Sequence, residues 1–395
     1  MNRVVVVSFM PIMEHMLSIF HMEALRKAGF QLAFWNVCNP AFGRFSTQGP
    51  AALPELEREF ASWDEVDAAL AREDLDSTFF FCLAGVEART EPLYALFKKH
   101  RAVTGFSMNT NWYFFSDLPL RQRLAAYLRH PGQLFRKVWG RLFRPRARGE
   151  GFLFDISFQC CATDNPPARR TVLCNAMPYD VERNVAPYGH PRRYALYLDN
   201  ALTHHPDFSS AGLPHIGENA FLRPVNALFD AIEKDLGLEV IVAAHPKSRY
   251  GGHEFNGRAI IRGNTASLAR GADLLLNTYS LSGLHALIFR KPVMFFVSDA
   301  FIEWSRRLPP PLSALPSVIR RMADSLGAPL LHLDRLDQCR PLRMPVVDER
   351  VYDEERYRWL THPQTEDASN AEIFVAAIAG LDGAELRAEK LAGNA

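Results

Sequence analysis

The sequence predicts two doubly wound α/β domains, each a parallel sheet covered by helices on both faces. Three observations lead there. A chain of 395 residues exceeds what one hydrophobic core usually organises. Short, almost wholly apolar runs alternate with intervals long enough for a crossover helix, as strands buried on both faces require. A polar stretch at 178–193, carrying Pro178, Pro187 and Pro191, separates these runs into two sets and reads as a linker.

In the first set, strands are expected at Val4–Ser8, Gln31–Val37, Thr78–Leu83, Val103–Ser107, Ile156–Cys161 and Val172–Ala176. In the second they are expected at Ala195–Leu198, Glu239–Ala244, Ala259–Arg262, Leu274–Asn277, Val293–Val297 and Leu330–Leu333. The boundaries that follow are 1–185 for an N-terminal domain with a basic amphipathic insert at 119–148, 186–368 for a C-terminal domain, and 369–395 for a terminal helix and tail. The terminal helix, near Ser369–Leu381, is expected to pack back on the first domain. Two such domains facing one another leave a cleft at the carboxyl ends of their strands, where ligands of open α/β sheets bind.

Composition removes several classes of function. Lys and Arg number 45 against 44 Asp and Glu, a formal charge of +1 that gives no general reason to bind nucleic acid. The six cysteines, Cys38, Cys82, Cys160, Cys161, Cys174 and Cys339, form no CxxC pair and mostly sit in apolar runs. They suit buried thiols of a reducing compartment rather than a zinc site or disulfide framework. Met1-Asn2-Arg3 leads directly into a strand and no run of about 20 apolar residues follows, so the expected location is cytoplasmic. The first strand-to-helix turn, SFMPIMEH, lacks GxGxxG, and GxxxxGK[ST] occurs nowhere. Dehydrogenase and P-loop kinase chemistry are thereby disfavoured, and no cofactor is expected.

A different phosphate strategy is visible in the second half. His245 follows the apolar strand Val240–Ala244, and Pro246 cannot continue the ladder, so the imidazole should emerge at the carboxyl edge of the sheet. A histidine beside a phosphate dianion gains basicity and can donate a proton or hydrogen bond to it. Lys247, Ser248 and Arg249 add nearby donors; a strand cap followed by a turn would give the same residues. After another buried strand come Asn277, Thr278, Ser280, Ser282 and Gly283, opening an expected helix through Leu284, Leu287 and Ile288 to Lys291-Pro292. Hydroxyls and unpaired amides at a helix start favour an anion, although ordinary capping by Ser280 has the same pattern. Together, in successive crossovers of one sheet, the two motifs are more specific than either alone.

With His245-Pro246, the turn Ser280–Gly283, Lys291-Pro292 and the segment LYLDNALTHHPDF (Leu196–Phe208), the stretch Tyr194–Phe296 resembles GT-B glycosyltransferases that use CMP-activated acidic sugars. These are the bacterial sialyltransferase and Kdo-transferase type of capsule and lipopolysaccharide assembly; the first domain resembles them in layout. The resemblance implies a GT-B fold, two Rossmann-like domains facing an interdomain cleft, with inversion at the anomeric carbon and no required metal. It implies that His245 contacts the donor phosphate and assists departure of CMP, and that the serine motif at Ser280–Gly283 binds the nucleotide phosphate; with these, Pro246, Lys247, Ser248, Asn277, Thr278, Ser280, Ser282 and Gly283 are the expected donor-nucleotide residues. An acidic D/E-D/E-G motif supplies the base in that family. Asp199, ending the strand before His245, is its best match, with Asn200 and Ala201 where the pattern has a second carboxylate and a glycine. Glu14, Glu87, Asp117 and Asp164 on first-domain loops are competitors. His204, His205 and Asp207 lack metal-site spacing and are expected to shape a donor loop.

From Arg121 to Arg148 the chain has nine Lys or Arg and no acidic residue. Phe135, Val138, Trp139, Leu142 and Phe143 fall at helical spacing within it, giving an apolar stripe beside a cationic face. Phe135, Arg136, Lys137, Trp139 and Arg141 are thus expected to contact an anionic membrane, with a packed helix bearing solvated arginines as the alternative. The expected function is transfer of a CMP-activated sialic, pseudaminic, legionaminic or Kdo-type sugar to a surface glycan or glycolipid at the inner face of the cytoplasmic membrane. A UDP-sugar transferase or epimerase of the same fold is one alternative. A non-catalytic scaffold of polysaccharide assembly is another.

Overall fold

The computed structural model describes residues 1–12, 17, 20–43, 53–83, 85–86, 89–107, 118–132, 134–135, 139, 152–160 and 167–392. The chain divides into two compact units. Unit 1 comprises Met1–Thr110, Arg144–Asp180 and Arg358–Ala395, and unit 2 comprises Asn111–Phe143 and Val181–Tyr357. The described part of the basic segment therefore belongs to unit 2, and the C-terminal helices belong to unit 1.

Unit 1 is built on a seven-stranded parallel sheet: β1 (Arg3–Ser8), β2 (Gln31–Asn36), β3 (Glu57–Glu59), β4 (Thr78–Cys82), β5 (Val103–Ser107), β6 (Phe154–Gln159) and β7 (Ala168–Leu173). Its spatial order is β3-β2-β1-β4-β5-β6-β7. The central strands read as unbroken apolar runs because both faces are covered: Val4 to Val7 and Phe79 to Phe81 are fully buried. On one face Phe80 packs against Trp35 at 5.4 Å and Phe97 at 5.3 Å between ring centres. Sequence reading missed β3. Its residues, Glu57-Arg58-Glu59, are a charged edge strand with no apolar run to announce it. The last strand begins earlier than expected, because Arg169 and Arg170 lie on the exposed edge strand β7, where charge is tolerated.

Two terminal helices complete unit 1. Helix Asn370–Ala379 starts with a capping box between Ser369 and Glu372, and its Phe374 ring stacks on Phe158 of β6 at 3.8 Å. The junction is polar and buried. Asn175 N–H donates to Asn370 Oδ1 (2.7 Å) while Asn370 Nδ2 donates back to the Asn175 carbonyl (2.8 Å), and Asn175 Nδ2 donates to the Thr365 and Ala368 carbonyls (2.9 Å each). Helix Gly383–Ala392, not expected from sequence, brings Lys390 Nζ within 2.7 Å of the buried Asp155 carboxylate. The same oxygen, Oδ2, also accepts from Thr104 N–H at 2.7 Å, and Arg169 Nε lies 3.7 Å from Oδ1, so the buried charge is paired.

Unit 2 carries the six strands expected of it: β8 (Tyr194–Leu198), β9 (Glu239–Ala244), β10 (Ala259–Arg262), β11 (Leu274–Asn277), β12 (Val293–Val297) and β13 (Leu330–His332). All are parallel, in the order β10-β9-β8-β11-β12-β13. Numbered from its own first strand, this is the 3-2-1-4-5-6 order of a Rossmann sheet, and unit 1 has that order with one strand added. Two Rossmann-like units in one chain are the components of the predicted GT-B architecture. One expected element differs: the helix after β11 begins as a tight 3-10 turn, Leu281–Leu284, and continues as a short α-helix, His285–Phe289. Ser280 and Asn277 bonding, described below, tightens that first turn.

Replacing Asn370 by Ala would strand a buried N–H and C=O of Asn175. The expected cost is about 2–4 kcal/mol in the urea unfolding of unit 1, with faster amide exchange confined to the two terminal helices. Unchanged stability would mean that water replaces the amide.

Candidate functional site

In a 3-2-1-4-5-6 sheet the connections leave in opposite directions on either side of the first strand, opening a crevice at the carboxyl ends of strands one and four. In unit 2 these are β8 and β11. The register is in step: Leu198 pairs with Asn277 of β11 and with Ala243 of β9, so Asp199, Thr278 and Ala244 share one level. Asn200 Nδ2 donates to Thr278 Oγ1 at 2.9 Å, tying the two sides of the switch point together.

Asp199 lies at the centre, only 4% exposed. Its Oδ1 accepts from the Ala201 amide (2.9 Å) and from the Tyr250 hydroxyl (2.9 Å), and its Oδ2 accepts from the His245 amide (3.0 Å). Three donors from three segments converge on one carboxylate. The turn it closes puts Ala201 at φ 49°, a left-handed conformation that costs an L-residue roughly 1–2 kcal/mol per residue. A glycine would take that conformation freely. Burial pushes the Tyr250 hydroxyl well above the usual phenol range, and the adjacent Asp199 charge pushes it further, so the phenol remains the donor.

His245 is half-buried at the end of β9. Its Nδ1 accepts from the Lys247 amide at 3.2 Å, which leaves the proton of the neutral ring on Nε2. Its carbonyl accepts from the Ser248 amide at 2.8 Å, closing the turn that Pro246 starts. The His205 ring lies 4.7 Å from that of His245 between centres. His204 is locked differently. Its Nε2 accepts from the Arg249 amide (2.9 Å), so its Nδ1 is the donor to Thr203 Oγ1 (2.8 Å), and its ring meets Tyr250 edge-on at 5.0 Å. With one nitrogen protonated and the other accepting, His204 has no lone pair for a metal. The loop is fastened at its far end by His215, which pairs with the His205 carbonyl at 2.9 Å, and by Trp304, which donates to the Pro214 carbonyl at 2.7 Å.

On the other side of β8, Asn277 Oδ1 accepts from Ser280 N–H (2.9 Å), and Ser280 Oγ caps the 3-10 turn by accepting from Ser282 N–H (3.3 Å). Gly283 is buried and its N–H donates to the Ser280 carbonyl at 2.9 Å. His245 and this serine turn thus flank one strand, two interstrand spacings or about 10 Å apart, on the same sheet edge. Among the sequence-derived nucleotide residues, Pro246 and Lys247 are exposed and Ser282 is half-buried. Ser248 differs from expectation: it is 2% exposed and its Oγ is sealed from solvent without a hydrogen-bond partner, because the turn folds it under His245.

Glu14, Glu87, Asp117 and Asp164 lie outside the described residues, as do Arg136, Lys137, Arg141 and the Asp207 side chain. Phe135 and Trp139 are exposed and stack at 5.3 Å. Sequence reading missed Tyr250, whose role appears only when the turn after β9 folds back on Asp199, and Asn200, read there as a departure from a motif. Among the described residues, Asp299, His332 and Asp334 have ligand atoms within 4.8 Å of one another, but Asp334 Oδ2 already accepts from the Asp299 amide at 2.7 Å at a helix start, where the dipole disfavours a cation.

No protein-family model matches the chain, and no curated protein matches it. Solved structures do. The UDP-GlcNAc 2-epimerase of Methanocaldococcus jannaschii is 12% identical over 96% of this chain and 100% of its own, with a TM-score of 0.45. The glycosyltransferase SsfS6 of Streptomyces sp. SF2575 is 15% identical over 99% of this chain and 100% of its own, with a TM-score of 0.38. UGT2 of Phytolacca americana, solved with UDP-2-fluoro-glucose and pterostilbene, is 9% identical over 100% of this chain and 99% of its own, with a TM-score of 0.44. At such identities and scores these likenesses say nothing of donor, acceptor or residue roles.

Two substitutions separate supporting groups from idle ones. Tyr250→Phe removes one of three donors from a buried carboxylate and should cost about 1.5–3 kcal/mol in unit 2, read by urea unfolding. Ser248→Ala removes a hydroxyl that bonds nothing and should change stability by less than about 0.5 kcal/mol. Equal effects would mean that Asp199 is not held as described.

Proposed function

We propose that unit 2 binds a nucleotide-activated sugar at the carboxyl edge around β8, and that the protein is an inverting, metal-independent glycosyltransferase. The observation that carries this reading is His245: its Nδ1 is held by the Lys247 amide, its own amide by Asp199, and its Nε2 carries the proton beside the switch point. A ring held in one tautomer at a strand end is prepared to donate to a departing phosphate. Lys247 and Arg249 bring positive charge to the same turn.

The donor we assign is a CMP-activated acidic sugar of the sialic or Kdo type, on the strength of the His245-Pro246 and Ser280–Gly283 motifs, with a glycan or glycolipid acceptor. Its single phosphate would lie between His245 and the Ser280–Ser282 turn. A UDP-sugar is the second reading, favoured by the two cations Lys247 and Arg249 in one turn, which suit the extra charge of a diphosphate. For Asp199 we propose a positioning role. With both oxygens engaged and 4% exposure, it sets the backbone of His245 rather than meeting the acceptor hydroxyl, and the base then lies on another carboxylate.

Thermal unfolding with CMP and UDP separates the donors. The true nucleotide at about 100 times its Kd adds about 2.7 kcal/mol and raises the midpoint by several degrees. A shift with neither would end the nucleotide-sugar reading. His245→Ala should keep that shift and lower nucleotide release by about 10²–10⁴-fold with acceptor present; wild-type release would remove His245 from catalysis. Asp199→Asn should lower turnover but leave the acid limb of the kcat–pH profile in place. Disappearance of that limb would make Asp199 the acceptor base after all.

A further inference from the structure

Helix Leu120–Leu128 presents an apolar face that unit 2 does not cover. Leu120, Leu124 and Leu128 are 71%, 49% and 63% exposed. Residues four apart lie about 40° apart around a helix axis, so the three form one ladder. Ala126, on the opposite side, is 2% exposed, as expected of the side that rests on unit 2. His130 pairs with the Arg306 carbonyl at 3.2 Å and Leu118 is buried, which fixes both ends of the helix and leaves the leucines pointing away. Beyond the helix, Phe135 and Trp139 are 62% and 51% exposed and stack on each other at 5.3 Å. Five large apolar side chains in one short segment remain in water at once.

The charge of the segment says what covers them. Arg121 and Arg123 fall on either side of the leucine ladder, Arg129 follows it, and residues 119–148 hold nine Lys or Arg with no Asp or Glu. A face of leucine and aromatic residues whose own segment carries cations and no acidic residue matches a surface that is apolar beneath and anionic above. A protein partner would require an acidic rim around an apolar groove. A lipid leaflet supplies both properties everywhere. No helix among the described residues is long and apolar enough to cross a membrane, so the segment would lie along the interface.

We propose that the ladder Leu120–Leu124–Leu128, continued by Phe135 and Trp139, is a docking surface for an anionic lipid bilayer. The leucines enter the acyl boundary, the arginines meet lipid phosphates, and Trp139 sits at headgroup depth. The surface is independent of the nucleotide assignment, and its test uses no substrate.

The full-length protein is sedimented with vesicles of phosphatidylcholine alone and of phosphatidylcholine with phosphatidylglycerol. Wild type should partition to the anionic vesicles at least about 10-fold better, and ~1 M salt, where the Debye length is about 3 Å, should weaken that binding. The double variant L124E/L128E, at two exposed positions, should lose at least about 10-fold in partitioning with an unchanged circular dichroism spectrum and melting temperature. R121E/R123E should lose the preference for anionic vesicles. Equal sedimentation of wild type and L124E/L128E, or none by wild type, overturns the proposal. So does a dimer in solution that L124E/L128E dissolves while vesicle binding is unaltered, which would assign the face to a second copy of the chain.

Discussion

A carboxylate taken out of water must be compensated by donors fixed in place, and the carboxyl edge of unit 2 is organised by that requirement at Asp199. Its three donors come from its own turn, from the start of the turn after β9 and from Tyr250 further along. Each bond is an ordinary one. Their joint effect is that the β8 and β9 turns cannot move independently without leaving a buried charge unpaired, a penalty of several kcal/mol. His245 inherits its position from this arrangement, and the His204 loop inherits its own from the His204 bond to Arg249, four residues on. The Asp199 carboxylate meets a backbone amide, so it positions the turn and not the imidazole itself.

The switch point also relies on short polar side chains that bond laterally. Asn200 to Thr278 spans β8 and β11, and Asn277 to Ser280 closes the turn beyond. Asn, Thr and Ser reach only to neighbouring groups at the strand ends, which is a way for a sheet without a glycine-rich loop to order its first and fourth strands with short side chains.

The fold was largely legible because both sheets are buried on two faces, which turns a strand into an apolar run such as VVVV or TFFFC that needs no context to recognise. What escaped was set by other physics. The three-residue β3 is an edge, defined by the partner it pairs with rather than by its own residues. Helix Gly383–Ala392 is held by the Lys390–Asp155 contact across 235 positions of sequence, a distance at which no pattern warns of it. At the site, His245 and Ser280 were visible as strand-end motifs, but the bonding of Asp199 was not, since its donors include a tyrosine 51 residues away and two amides. The leucine ladder follows helical spacing and would read from sequence as a buried face; only its exposure distinguishes it.

The return of the last helices to unit 1 has a consequence for how the protein is made. Phe158 and Asp155 lie on β6, while Phe374 and Lys390, which cover and neutralise them, follow the whole of unit 2 in the chain. A ribosome therefore releases the second unit complete while the first still lacks its lid and the counterion for a core carboxylate. Unit 1 can close only after the helices carrying Phe374 and Lys390 have emerged, so the N-terminal half, although synthesised first, is the later of the two to mature and the one that needs protection from aggregation in the meantime.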